Sequence, residues 1–236
     1  MAAVTSPIDV NIEDGVAVLR IDDGKANVVS HAFIDQMNDA LDMAAEDATA
    51  IAIVGREGKF SAGFDLSVMS GGAEAVRGLV GGGGEMLMRI YTHPQPVVAA
   101  VTGHALAAGA LLCLASDTRI GSADIPAKIG LNETAIGMGL PWYGVRLGEA
   151  RLSKRYLTRS VLQAEIFDME GALAAGYLDE LVPAADLETT AIERARQLGQ
   201  LPAAAHAITK SRLRQALADE ILAGLDADMA KMAGPG

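Results

Sequence analysis

Val97-Val98-Ala99-Ala100-Val101-Thr102-Gly103-His104-Ala105-Leu106-Ala107-Ala108-Gly109-Ala110-Leu111-Leu112-Cys113-Leu114-Ala115 is a run of 19 residues without a formal charge. That is about the length a bilayer span demands. Thr102-Gly103-His104 interrupts it, however, and Ala and Gly dominate its second half, where insertion energies are weak beside those of Leu or Phe. The run reads as a buried strand, a glycine turn and a buried helix, with no membrane span. Pro94 and Pro96 just before it stop any helix arriving from the N-terminal side.

Working outward, Ile51 to Val54 is a second short buried strand, and Thr118 to Ile120 reads as extended. Ile8, Val10 and Ile12 alternate with polar residues, Asp14-Gly15 follows, and Val16 to Ile21 is apolar, the pattern of a hairpin with a primed two-residue turn. Ser30 can cap a helix with apolar positions Phe33, Met37, Ala40, Leu41 and Ala44. Gly78 to Gly84 leads into a helix ending near Tyr91, with Gly81–Gly84 as a flexible loop. Leu106 to Ala115 and Ser153 to Gln163 read as helices, the second with a basic face. After about Val182 no strand pattern remains; Leu187, Ala191, Ala195 and Leu198 mark one helix and Leu213, Leu217, Ile221 and Leu225 another. The expected fold class is α/β, with a β/α core over residues 1–185 and a helical region over 186–236.

Composition narrows the partners. The chain has 236 residues, 50% apolar and 21% charged, enough to bury roughly 70–75% of the surface its unfolded chain exposes. Its 19 Lys and Arg stand against 30 Asp and Glu, a net charge of −11 that repels nucleic-acid phosphates and anionic lipid. Nucleic acid is therefore discounted. Cys113 stands alone and there are only 4 His, so neither an internal disulfide nor a soft-metal site is expected. Met1 to Pro7 is small and polar and carries no targeting signature, so a cytoplasmic location is expected.

No zinc-type Cys pair, HExxH, P-loop, GxSxG elbow or GxGxxG after a strand is present. Two glycine-containing turns follow apolar strands: Phe60-Ser61-Ala62-Gly63-Phe64-Asp65, and Gly103 to Gly109. Turns that open toward a helix present free backbone N–H groups, and two converging on one point would form an oxyanion hole. Glu133, in Ile129-Gly130-Leu131-Asn132-Glu133-Thr134, lies in a charge-poor stretch, where its neutral form would be favoured and it could transfer protons. The plainer reading of Glu133 is a capping or hydrogen-bonded residue. His93 and His104 read as structural, Cys113 as a small core residue, and Arg146, Arg151, Lys154, Arg155 and Arg159 as a solvated helix face.

These parts together resemble the crotonase superfamily, the enoyl-CoA hydratase/isomerase enzymes. The resemblance is carried by Lys25-Ala26-Asn27, Phe60 to Leu66, Pro96 to Gly103, Ser116-Asp117-Thr118-Arg119-Ile120 and Ala174 to Asp179, in this order over almost the whole chain. It implies a spiral of strand–strand–helix units closed by C-terminal helices that pack trimers or dimers of trimers. It also implies an acyl-CoA thioester substrate and no separate cofactor or metal. Family hydratases use two glutamates; by resemblance one corresponds to Glu133, and the other position is occupied here by Leu111. A leucine can neither orient water nor exchange a proton, whereas moving a double bond from the 3- to the 2-position needs only one acid/base. The local sequence is most similar to mitochondrial-type 3,2-enoyl-CoA isomerases. The resemblance further implies an oxyanion hole from the N–H groups of Phe64 and Ala108. It puts CoA along Lys25, Ala26, Ala62, Asp65 and Leu66, and an acyl pocket among Leu111, Met138, Leu140, Pro141 and Trp142. The alternatives left open are a hydratase working through Glu133 and a non-catalytic acyl-CoA-binding paralogue.

Overall fold

A computed structural model describes residues 7–232. Strand β1 (Ile8–Glu13) turns at Asp14-Gly15 into antiparallel β2 (Val16–Ile21). Asp14 and Gly15 both have positive φ, +48° and +79°, as a primed turn requires. After β3 (Val28–Val29), the Ser30 side chain accepts from the Phe33 N–H and starts α1 (His31–Asp47). Then follow β4 (Ala50–Val54), β5 (Gly58–Ser61), β6 (Gly63–Phe64), α2 (Leu66–Met69) and α3 (Ala73–Thr92). Next come β7 (Val97–Val101), β8 (Gly103–Leu106), α4 (Ala108–Ala115), β9 (Thr118–Ser122) and β10 (Ile129–Gly130). The chain continues through α5 (Trp142–Arg151), α6 (Met169–Ala175), β11 (Glu180–Val182), α7 (Leu187–Gly199) and α8 (Ala203–Met232).

A six-stranded sheet runs β1-β2-β4-β7-β9-β11, parallel except for the first pair; β10-β8-β5 form a second parallel sheet and β3-β6 a third. Successive units each give one strand to the large sheet and the next to the second: β4 and β5, β7 and β8, β9 and β10. This is the spiral of strand–strand–helix units that the resemblance implies. The strands read as unbroken apolar runs because both faces are covered. In β7, Val97, Ala99 and Val101 enter the main core, while Val98 and Ala100 enter a smaller one closed by Leu187, Ala191 and Ala195 of α7. Among the described residues no helix is long and apolar enough to cross a membrane.

Three local expectations give way. Gly81–Gly84 is not a loop but the middle of α3, although glycine costs about 1 kcal/mol per residue in a helix interior. The glycines admit side chains of other elements: a Cβ at Gly83 would stand 2.5 Å from the Phe64 ring, and one at Gly84 2.8 Å from Tyr143. Leu106 closes β8 rather than opening α4, and the Ser153–Gln163 segment contains only the π-helical turn Thr158–Leu162. Arg151 is no solvated cation: it is half-buried, donating to the carbonyls of Leu114, Ser116 and Asp117 at 3.2, 2.9 and 3.0 Å.

The helix α8 packs on α3 and α5. Its Lys210 and Arg214, both buried, converge on the Asp117 carboxylate at 2.6 and 2.7 Å, and Asp228 accepts from the Trp142 N–H at the start of α5.

Candidate active site

The segment carrying Glu133 is held from both sides. β10 pairs with β8, and Ile129 exchanges two 2.9 Å backbone hydrogen bonds with Phe167. Gly130, at φ +157°, passes so close to Glu165 that a Cβ there would lie 2.8 Å from its carbonyl oxygen. The chain then turns, the N–H groups of Ile136 and Met138 both donating to the Glu133 carbonyl. This leaves the Glu133 carboxyl buried at 6% exposure, with Oε2 lacking any partner. Burial pushes its pKa up to about 7, partly opposed by a hydrogen bond from its own backbone.

Glu133 faces a cavity of about 180 Å³. Ala62, Phe64, Leu66, Met69, Val80, Ala107, Asn132, Ile136, Met138, Gly139 and Pro141 complete its lining. Glu133 is the only ionisable side chain among these wall residues. Asn132 also contributes a buried, unpartnered Oδ1.

The two glycine turns meet here. Gly63 has φ +97°, and a Cβ on it would stand 2.9 Å from the Ala107 Cβ and 3.4 Å from the Ala108 nitrogen. Ala108 heads α4, where the first N–H groups have no intrahelical acceptor. Successive N–H groups of a strand alternate in direction; Asp65 donates to the Val29 carbonyl, so the Phe64 N–H points away from β3. The backbone bend that turns β8 into α4 falls on Ala107, whose φ of +50° is unusual for a residue with a side chain.

The other expected site residues divide. Ala62 and Leu66 are cavity walls; the Ala62 N–H donates to the Ala26 carbonyl at 3.0 Å, which draws the Lys25-Ala26-Asn27 segment alongside. Lys25 is exposed. Asp65, held below the usual carboxylate range chiefly by its hydrogen bond with the Ser67 hydroxyl, starts α2, with Lys25 contributing. Met138 and Pro141 line the cavity, but Leu111, Leu140 and Trp142 do not. α4 is buried on every side, so Leu111 points into the core near Gly144, and Leu140 packs on the same glycine. Trp142 begins α5 exposed, beneath the Arg146 guanidinium. Sequence reasoning missed Met69, Val80, Ala107, Asn132, Ile136 and Gly139 as wall residues; only the adjacency of Asn132 to Glu133 was a usable signal. Among the described residues, no three His, Cys, Asp or Glu side chains gather as metal ligands.

Residues 11–233 match the model of the enoyl-CoA hydratase/isomerase family. The chain belongs to that family. Members with both kinds of name are similar to it. Human mitochondrial enoyl-CoA delta isomerase 1 is 31% identical over 220 residues, covering 91% of this chain and 72% of the relative. A "Probable enoyl-CoA hydratase" of Rhodobacter capsulatus is 32% identical over 223 residues, 91% of this chain and 83% of the relative. The crystal structure of an enoyl-CoA hydratase/isomerase family protein from Pseudomonas syringae superposes with a TM-score of 0.94 at 41% identity, covering 98% and 100% of the two chains.

Proposed function

We propose that this member of the enoyl-CoA hydratase/isomerase family converts 3-enoyl-CoA to 2-enoyl-CoA with Glu133 as its single acid/base. In this mechanism the Glu133 carboxylate removes a proton from the alpha carbon. The electron pair delocalises into the conjugated system, and negative charge gathers on the thioester oxygen. The N–H groups of Phe64 and Ala108 stabilise that oxygen, each by about 2.7–4 kcal/mol. The protonated Glu133 then delivers its proton to the gamma carbon as the double bond settles between the alpha and beta carbons. The proton that leaves returns, so the reaction calls for no metal, redox group or co-reactant. Lys25, Ala26, Ala62, Asp65 and Leu66 lie along the CoA moiety in this reading.

The observation that carries the proposal is the isolation of Glu133 as the one ionisable group on an apolar cavity wall. Leu111, at the position where the family resemblance implies a hydratase glutamate, is an aliphatic residue wholly buried in the core. A pKa near 7 suits a group that must both take and give a proton near neutrality. Trimers or dimers of trimers belong to the same reading, for which exposed Ile208 and Leu213 of α8 offer apolar surface.

The test is to follow conjugation of a medium-chain 3-enoyl-CoA spectrophotometrically, beside a 2-enoyl-CoA hydration assay. Isomerisation without comparable hydration, lost in Glu133→Gln while acyl-CoA still binds, is the expected result. Dominant hydration would assign the chain as a hydratase instead, and binding without turnover in either assay would make it a non-catalytic acyl-CoA protein.

A further inference from the structure

The side chain of Phe64 has no part in the chemistry above, which uses only its N–H. Its ring is nevertheless a wall of the cavity, and it lies edge-on against α3 where that helix has Gly83. A Cβ on Gly83 would meet two ring carbons at 2.5 and 2.6 Å, so the ring occupies the space that any other residue at 83 would fill. One turn earlier on α3, buried Val80 forms the neighbouring wall, and its carbonyl accepts from the Tyr143 hydroxyl at 3.0 Å. Tyr143 is itself wholly buried, against Gly84. The inner wall is thus backed by fixed aromatic and helical structure. The wall residues Ala62, Leu66, Ile136 and Gly139 are exposed, so the cavity is open to solvent there. The cavity volume of about 180 Å³ is below the roughly 300–1,000 Å³ usual for small-molecule sites.

We infer that the Phe64 ring, seated on Gly83, ends the acyl pocket and restricts this enzyme to short and medium acyl chains. The inference rests on the acyl-CoA reading of the cavity and adds a specificity-determining side chain to it. A longer chain would have to displace the ring, and the glycine at 83 lets the ring lie as far back as the helix backbone permits. Loss or gain of a methylene's room in an apolar pocket changes discrimination by roughly 10–200-fold.

The test compares kcat/KM for 3-hexenoyl-CoA and 3-dodecenoyl-CoA, and calorimetric affinities for hexanoyl-CoA and dodecanoyl-CoA, in wild type, Phe64→Ala, Gly83→Ala and the double variant. Wild type should favour the shorter chain by about tenfold or more, and Phe64→Ala should raise the long-to-short ratio by about tenfold or more. Gly83→Ala should lower that ratio by pushing the ring into the cavity, and the double variant should return to the Phe64→Ala ratio because the colliding ring is gone. Ratios are read because Phe64→Ala also alters a residue of the oxyanion hole. If Phe64→Ala does not fold, the fall in ratio in Gly83→Ala alone decides. Equal use of both chains by wild type, or a ratio indifferent to both positions, would overturn the inference while leaving the isomerase proposal standing. No turnover, with affinities that still shift as described, would overturn the isomerase proposal and leave this one.

Discussion

Gly63 and Ala107 touch so closely that a methyl group on Gly63 would sit 2.9 Å from the Ala107 side chain. The contact joins the turns that carry Phe64 and Ala108 and so fixes the spacing of the two proposed donors. Gly63→Ala would add both this clash and a side chain at φ +97°. Strain of this kind costs about 1–3 kcal/mol. A displaced oxyanion donor costs about 10²–10³ in kcat. Thermal unfolding and steady-state kinetics should show both losses, and a fully active Gly63→Ala would show that the two turns are not the catalytic framework.

Glu133 gives two pH-dependent readouts. A base with a pKa of about 7 makes kcat/KM rise with pH to a plateau above neutrality. Glu133→Gln should remove about 10²–10⁴-fold of the rate.

The same group acts on stability with the opposite sign. Its folded pKa lies above the ordinary glutamate value of 4.5, so between about 4.5 and 7 the folded state binds more protons than the unfolded one. Its contribution to stability is present at acid pH and falls as pH rises through that window. The loss is on the order of 3 kcal/mol, at 1.36 kcal/mol per pKa unit. Glu133→Gln should therefore gain stability relative to wild type from pH 4.5 to 7 in denaturant titrations. Parallel curves would show that the carboxyl is not desolvated.

Asp117 is the anchor of α8. Asp117→Ala would leave Lys210 and Arg214 buried without their carboxylate, a loss worth about 3–5 kcal/mol. Limited proteolysis should then cut α8 first, with loss of the Asp228 cap on α5 accompanying it. Unchanged melting and proteolysis would mean that apolar packing alone docks the helix.

Gly84→Ala reverses the usual rule for helices. Alanine is the better helix former by about 1 kcal/mol, yet a Cβ here would stand 2.8 Å from the fully buried Tyr143 ring. Overpacking of this kind costs about 1–3 kcal/mol. A lower melting temperature is expected, and a rise would show that Tyr143 has room to move.

How much could be read in advance followed from how local the signal was. The Asp14-Gly15 turn, the Ser30 cap and the apolar run of β7 are each dictated by neighbours in sequence, and each stands where it was read. The glycines of α3 misled because helix propensity is a local quantity; Phe64, Tyr143 and Met229 approach them from distant segments. Arg151 misled likewise, since the carbonyls that hold it lie more than thirty positions away. At the cavity, of the five acyl-pocket residues that the resemblance implies, Met138 and Pro141 line the wall, whereas Leu111, Leu140 and Trp142 do not, because a position in sequence does not fix where a side chain points. Met69 and Val80 arrive from α2 and α3, which no motif connects with Glu133.

The seclusion of the Glu133 carboxyl also bears on isotopes. In the proposed isomerisation, a proton held on a group this shielded meets bulk water slowly, while the gamma carbon of the same substrate stands in the cavity. Deuterium placed at the alpha carbon should therefore reappear at the gamma carbon of the product instead of washing out. The fraction retained would measure how long the buried carboxyl keeps a proton to itself.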